Sequence, residues 1–135
     1  DNAVPVVSKG DVSRNPWIEW AEAAWLDIKE TNTLNVKGTK GENDTKHICP
    51  LQLDVIERLV RLYSNPGELV FSPFTGIGSE GFVALTLGRR FYGCELKDEY
   101  VATAKKNLEL AKKKSLQKKK TSLFKHEEEE ALNAG

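Results

Sequence analysis

The stretch Glu68–Gly88, ELVFSPFTGIGSEGFVALTLG, limits the folds open to this chain more than any other. ELVFS (68–72) reads as a short buried strand that stops at Ser72-Pro73. Gly76-x-Gly78-x-x-Gly81 then leads into SEGFVALTLG, a helix closed by Gly88. Gly76 and Gly78 reach backbone angles closed to other residues and let a ligand approach the main chain. Gly81 lets the helix pack close to the sheet. RRFYGCEL (89–96) repeats the strand signal, and KDEYVATAKKNLELAKKK (97–114) predicts a helix from near Asp98. Upstream, LQLDVIERLVRLYS (51–64) sets Leu51, Val55, Ile56, Leu59, Val60 and Tyr63 on one helical stripe, stopped by Asn65-Pro66-Gly67. The order helix–strand–turn–helix–strand–helix predicts an α/β fold with two adjacent parallel strands joined by a right-handed crossover.

Such a bend suits a nucleoside. Glu95 closes the second strand 19 residues after Gly76, where a carboxylate can accept hydrogen bonds from both ribose hydroxyls. Dinucleotides and S-adenosylmethionine both carry that ribose, so Glu95 does not separate them. Glu80 favours the second. It falls in the first helical turn, where a dinucleotide would rest its pyrophosphate against backbone N–H groups. A carboxylate there opposes phosphate by about 1 kcal/mol at roughly 4 Å in water, and by several times more when desolvated. S-Adenosylmethionine has no phosphate, and its sulfonium is a cation. The alternative is an NAD-binding half of an oxidoreductase, motivated by the same glycines and Glu95.

Composition narrows the classes. With 20 basic and 20 acidic side chains in 135 residues, the chain is no polycation, and its length holds one modest domain. Cys49 and Cys94 lack metal-ligand spacing and suit reduced thiols in a cytoplasm, so no metal is expected. No apolar run approaches the roughly 20 residues of a membrane span. Nothing reads as a signal peptide. The chain contains no methionine, so it is expected to be a piece of a longer protein.

Three segments are expected. Residues 1–46 hold a loose start, a tryptophan-rich helix and the polar loop VKGTKGENDTK (36–46). Asn15-Pro16 reads as cap and first residue of that helix, with Trp17, Trp20, Ala21 and Ala24 at helical spacing. The tryptophans suit core or interface better than base stacking. Residues 47–113 hold the strand–helix unit. Residues 114–135 form a charged low-complexity tail that either extends the last helix or stays solvated.

In order, HICPLQ (47–52), a helix ending SNPGELV, SPFTGIGSEG (72–81) and GRRFYGCELKDEYVATAKKNL (88–108) resemble the carboxyl-terminal half of the β-class DNA amino-methyltransferases, phage-type DNA methylases in particular. The similarity spans about Trp25 to Leu110, with WLDI (25–28) as the family's Trp-Asp-Ile-Pro-like segment. It implies a partial, truncated Rossmann-like S-adenosylmethionine-dependent methyltransferase fold, with parallel strands and flanking helices in three layers. The implied activity is methylation of adenine N6 or cytosine N4, with DNA as the partner of the complete protein. On the matching positions, Phe74, Gly76 and Gly78 would line the methionine and ribose of the cofactor, with Thr75 and Ser79 in the same loop and Pro73 setting the strand exit. Glu95, beside Leu96, would bind the ribose hydroxyls. Cys49, Pro50, Leu51 and Gln52 would flank the methionine end. Ser72 stands where the family carries an acid before Pro-Phe, which removes a carboxylate expected near the cofactor ammonium. The family's His-Pro is His47-Ile48 here, with the proline delayed to Pro50, and its Lys-Pro is Leu53-Asp54.

The family's chemistry sits in an Asp/Asn/Ser-Pro-Pro-aromatic tetrapeptide that orients the target amino nitrogen, and this sequence has none. Asn15-Pro16-Trp17 lacks the second proline, and Ser72-Pro73-Phe74 belongs to the cofactor loop. No catalytic residue is assigned, and the chain alone is expected not to methylate DNA. A non-catalytic interaction module that keeps a methyltransferase shell is a further alternative. Two parallel strands also leave an open edge beside the first, expected to be covered by self-association or by another segment such as the tryptophan-rich helix. His47 reads as structural, Cys49 as a small apolar filler, and the lysines of 112–120 as a solvated helix end.

Overall fold

The computed structural model describes residues 14–34 and 49–133. The elements run α1 (Arg14–Trp20), α2 (Leu53–Tyr63), β1 (Leu69–Ser72), α3 (Ser79–Thr86), β2 (Arg90–Gly93) and α4 (Asp98–Asn133). Expectations for the first residues, the 36–46 loop and His47 lie outside the described residues. β1 and β2 pair in parallel, Leu69 opposite Arg90 through Ser72 opposite Gly93, with α3 as the crossover.

Strand alternation sorts the side chains. Val70 packs on the core and Ser72 is buried, while Leu69 and Phe71 are exposed. The core joins Ile56 and Val60 of α2 to Val83 of α3, with Leu53, Phe82 and Leu87 against it. Each such side chain contributes roughly 1.5–3 kcal/mol when fully buried. α3 packs on α4 and on both strands. Gly81 makes this approach possible, since a Cβ there would lie 2.5 Å from Leu108 Cδ2 and 2.6 Å from the Phe91 ring. Arg89 closes the carboxyl end of α2. Its side chain is buried, and it donates to Ser64 O at 2.7 Å and to Leu87 O at 2.8 Å, satisfying carbonyls that a helix end would leave unpaired.

Among the described residues, helices cover one face of the sheet. On the other, Leu69, Phe71 and Tyr92 are 55%, 57% and 62% exposed, and the Phe71 and Tyr92 rings stack at 6.1 Å. The partial Rossmann-like order is thus present as two layers, with an apolar face where a third would lie. The edge of β1 left unpaired among the described residues borders a groove of about 490 Å³. It explains why the α2 stripe is only half buried: Ile56 and Val60 are covered, whereas Leu51, Leu59 and Tyr63 are exposed.

The tryptophan-rich helix does not cover that edge, contrary to one expectation. No residue of α1 lines the groove. Trp20 and Trp25 instead bracket the Arg58 guanidinium, 5.7 and 5.1 Å from their ring centroids, and Arg58 also pairs with Asp27. That attraction seats them on a different face of α2 from the groove. Trp17, Ala21 and Ala24 are exposed. The helix begins at Arg14, so Asn15-Pro16 occupies the first turn rather than the cap, a place where the missing proline N–H costs nothing. α4 runs on through the charged tail for 36 residues, about 54 Å at 1.5 Å per residue. The lysine run is not wholly solvated, because Lys114 Nζ lies 5.1 Å from the Phe82 ring centroid.

Candidate functional site

The bend after β1 is stitched to the end of β2. Ser72 O accepts Cys94 N–H at 3.0 Å, and Thr75 N–H donates to Cys94 O at 2.9 Å. Gly78 N–H closes the turn on Thr75 O at 2.8 Å. Asn107 Nδ2 of α4 donates to Ile77 O at 2.8 Å, so the bend is held from two sides. Gly76 and Gly78 have φ of +54° and +88°, left-handed values at which a side chain would be strained. Gly78 is the N-cap of α3, and space is open where a Cβ on Gly76 would stand.

Glu95 completes the knot. Its Oε2 accepts Gly76 N–H at 2.8 Å, and its Oε1 accepts the N–H groups of Leu96 at 2.9 Å and Lys97 at 3.0 Å. The bond from Lys97 N–H does most to hold the carboxyl below its ordinary range, with Gly76, Leu96 and the Lys97 charge adding to it. A carboxylate offers about four acceptor positions, so about one is left for a ligand. Two ribose hydroxyls could bind only if a backbone bond were released.

Next to this knot lies a cleft of about 310 Å³. Cys49, Pro50 and Leu51 form one wall; Phe74, Thr75, Gly76 and Ser79 form the bend side. The other expected residues stand apart. Gln52 is the N-cap residue of α2 without a side-chain capping bond, and Ser72 is buried at the end of β1. Pro73 is exposed, Gly78 backs onto Ala104, Leu96 is 100% exposed, and Glu95 reaches the cleft only through Gly76. Cys49 is exposed at the cleft, not the buried filler expected. Its neighbours there are the bend residues rather than a core.

Three cleft residues had no assigned place in the site: Ile77, Glu80 and Tyr100. Tyr100 lay within the GRRFYGCELKDEYVATAKKNL stretch (88–108) that carries the resemblance. Glu80 had one in its charge. Burial pushes the Glu80 carboxyl above its ordinary range, opposed only in part by a hydrogen bond from its own backbone N–H. Among the described residues no cluster of three or more His, Cys, Asp or Glu could hold a metal, and no helix is long and apolar enough to cross a membrane.

A family model described as DNA methylase, of the N6/N4 methyltransferase type, matches residues 6–106. This chain belongs to that DNA methylase family. The chain is similar to type II methyltransferase M1.MboII of Moraxella bovis, 48% identical over 58 residues, which are 43% of this chain and 22% of the relative. It is also similar to type II methyltransferase M.BglII of Bacillus subtilis, 43% identical over 63 residues, 47% of this chain and 18% of the relative. Among solved structures, a candidate DNA modification methylase of Thermus thermophilus, complexed with S-adenosyl-L-methionine, matches with a TM-score of 0.55 at 27% identity. That match covers 74% of this chain and 34% of the other. The chain thus spans about a fifth of those two relatives and about a third of that structure.

Proposed function

We propose that this chain is the cofactor-binding part of an S-adenosylmethionine-dependent DNA methylase acting on an exocyclic amino group, adenine N6 or cytosine N4. The observation that carries the reading is the cleft between Cys49–Leu51 and the glycine bend, with Glu95 tied to the back of that bend through Gly76. The lining fits the cofactor. Among the described residues it contains a carboxylate and neither lysine nor arginine, which disfavours a pyrophosphate and accepts a cation. The open side of Gly76 admits a ligand against the main chain, and Glu95 keeps one acceptor position for its sugar. S-Adenosylmethionine, when bound, supplies an electrophilic methyl group. The chain's own residues bind and orient it.

On this reading residues 47–113 are the cofactor unit, 1–46 and 114–135 flank it, and the whole protein acts on DNA in the cytoplasm. The Pro-Pro-aromatic tetrapeptide is missing from the sequence, so the chain alone transfers no methyl group. Incubation with labelled S-adenosylmethionine and DNA checks this, and label in the DNA would contradict it. The free β1 edge and its groove take a second copy of the chain, to be tested by sedimentation. A monomer at every concentration argues against that.

The site itself is tested by NMR, titrating the labelled chain with S-adenosylhomocysteine. Amide shifts should concentrate at Cys49–Leu51, Phe74–Glu80 and Glu95–Lys97. Shifts confined to the β1 groove or the distal part of α4 would count against the assignment.

A further inference from the structure

Glu80 has no role in the bend's own hydrogen-bond network, yet it stands in the wall of the cleft, half-buried in the first turn of α3. Leu51 and Glu80 line both the cleft and the groove beside β1, so they mark the end of the cleft nearer that groove. Gly76, whose N–H is bonded to Glu95, lines the cleft but not the groove. A ligand whose sugar is held at Gly76 and Glu95 can run along the cleft to the wall that Glu80 and Leu51 share with the groove. The distal part of S-adenosylmethionine is an amino acid, and its outermost positive group is an ammonium.

We infer that Glu80 is the binding residue for the ammonium group at the amino-acid end of the cofactor. The inference rests on the cofactor reading above and goes beyond it by giving each end of the ligand its own carboxylate. Burial is what makes the residue fit for this. A carboxylate held partly out of water, in a wall whose described residues include no lysine or arginine, is poorly compensated until a cation arrives. The charge-assisted hydrogen bond that then forms is stronger than a neutral one. A residue kept only to support the fold would have no such need of charge. Glutamine has the same shape and would serve better.

The test is calorimetric binding of three ligands to the full chain and to Glu80→Gln: S-adenosylmethionine, S-adenosylhomocysteine and 5′-methylthioadenosine. The first two carry the ammonium; the third lacks the amino-acid end; only the first carries a sulfonium. The expected result is a loss of roughly ten- to hundredfold for the first two alike, with 5′-methylthioadenosine unchanged. Glu80→Asp, which keeps the charge, should recover part of the loss. A thermal melt accompanies each variant and should show Glu80→Gln melting no lower than the wild type. A loss for S-adenosylmethionine alone would assign Glu80 to the sulfonium and overturn the ammonium role. An equal loss for all three, or none for any, would overturn it as well. A wild-type chain that binds none of the three sinks the cofactor reading itself, and this inference with it.

Discussion

The backbone N–H of Gly76 donates to the Glu95 carboxylate at 2.8 Å, joining residues 19 apart in sequence and fixing the bend after β1 to the end of β2. Glu95 is therefore part of the scaffold before any ligand arrives. Glu95→Ala should lower the stability of the ligand-free chain by about 1 kcal/mol, the scale of exposed hydrogen bonds for which water competes. Urea denaturation measures it. Because that variant also loosens the bend, binding is better compared with Glu95→Gln, which keeps the shape and one acceptor oxygen.

The same residue gives a pH dependence. Its native carboxyl titrates below the unfolded value of 4.5, so its stabilisation is complete above that pH and disappears as pH falls through the lowered native value. The stability gap between wild type and Glu95→Ala should be full at pH 7 and close under acid conditions. A gap that persists unchanged at low pH would show that the loss is not electrostatic.

Glu80 has the opposite sign. Its native carboxyl titrates above 4.5, because burial disfavours the charge. Below that pH both states are protonated and nothing is lost. As pH rises through the unfolded and then the native value, the fold gives up stability. Glu80→Gln should thus be more stable than wild type at pH 7. The difference should vanish near pH 3.5 or so, as read by thermal melts at the two pH values.

Gly81→Ala tests the packing of α3. The added methyl would meet Leu108 and Phe91 well inside van der Waals contact. Both neighbours are partly buried, so relief requires α3 to move off the sheet. A loss of about 1–3 kcal/mol is expected in chemical denaturation.

Arg58→Ala tests the seat of the tryptophans. Trp20 and Trp25 lose the cation between them and Asp27 loses its partner. Tryptophan fluorescence should become more open to acrylamide quenching, with a stability loss of about 1 kcal/mol. Unchanged quenching would mean that the bracket does not hold the segment in solution.

Local chemistry made the element order legible. Asn65-Pro66-Gly67, the glycine bend and Gly88 punctuate the chain where its elements change, and α3 and α4 start at Ser79 and Asp98 as read. Gly81 and Glu95 were legible as well, since each does a job that few residue types can do. What was not legible depends on which surfaces meet. The α2 stripe gave no sign that Leu59 and Tyr63 would be exposed, because periodicity fixes a face and not its cover. Arg89 looked like the start of a strand, yet it is buried against Ser64, 25 residues away. Glu80 and Tyr100 were readable as charge and aromatic, but only the crossing of α3 and α4 at the bend brings them into one cleft with Cys49. The tail stayed open between helix and solvated chain, and the structure makes it helix through Asn133.

Calorimetric titration of the full chain with S-adenosylmethionine, repeated with NAD, bears most directly on the central claim. Saturable binding of S-adenosylmethionine at a single site, weakened in Glu95→Gln and matched by no heat from NAD, is the expected result. Binding of NAD as tight as that of S-adenosylmethionine, or no binding of S-adenosylmethionine at all, would contradict it.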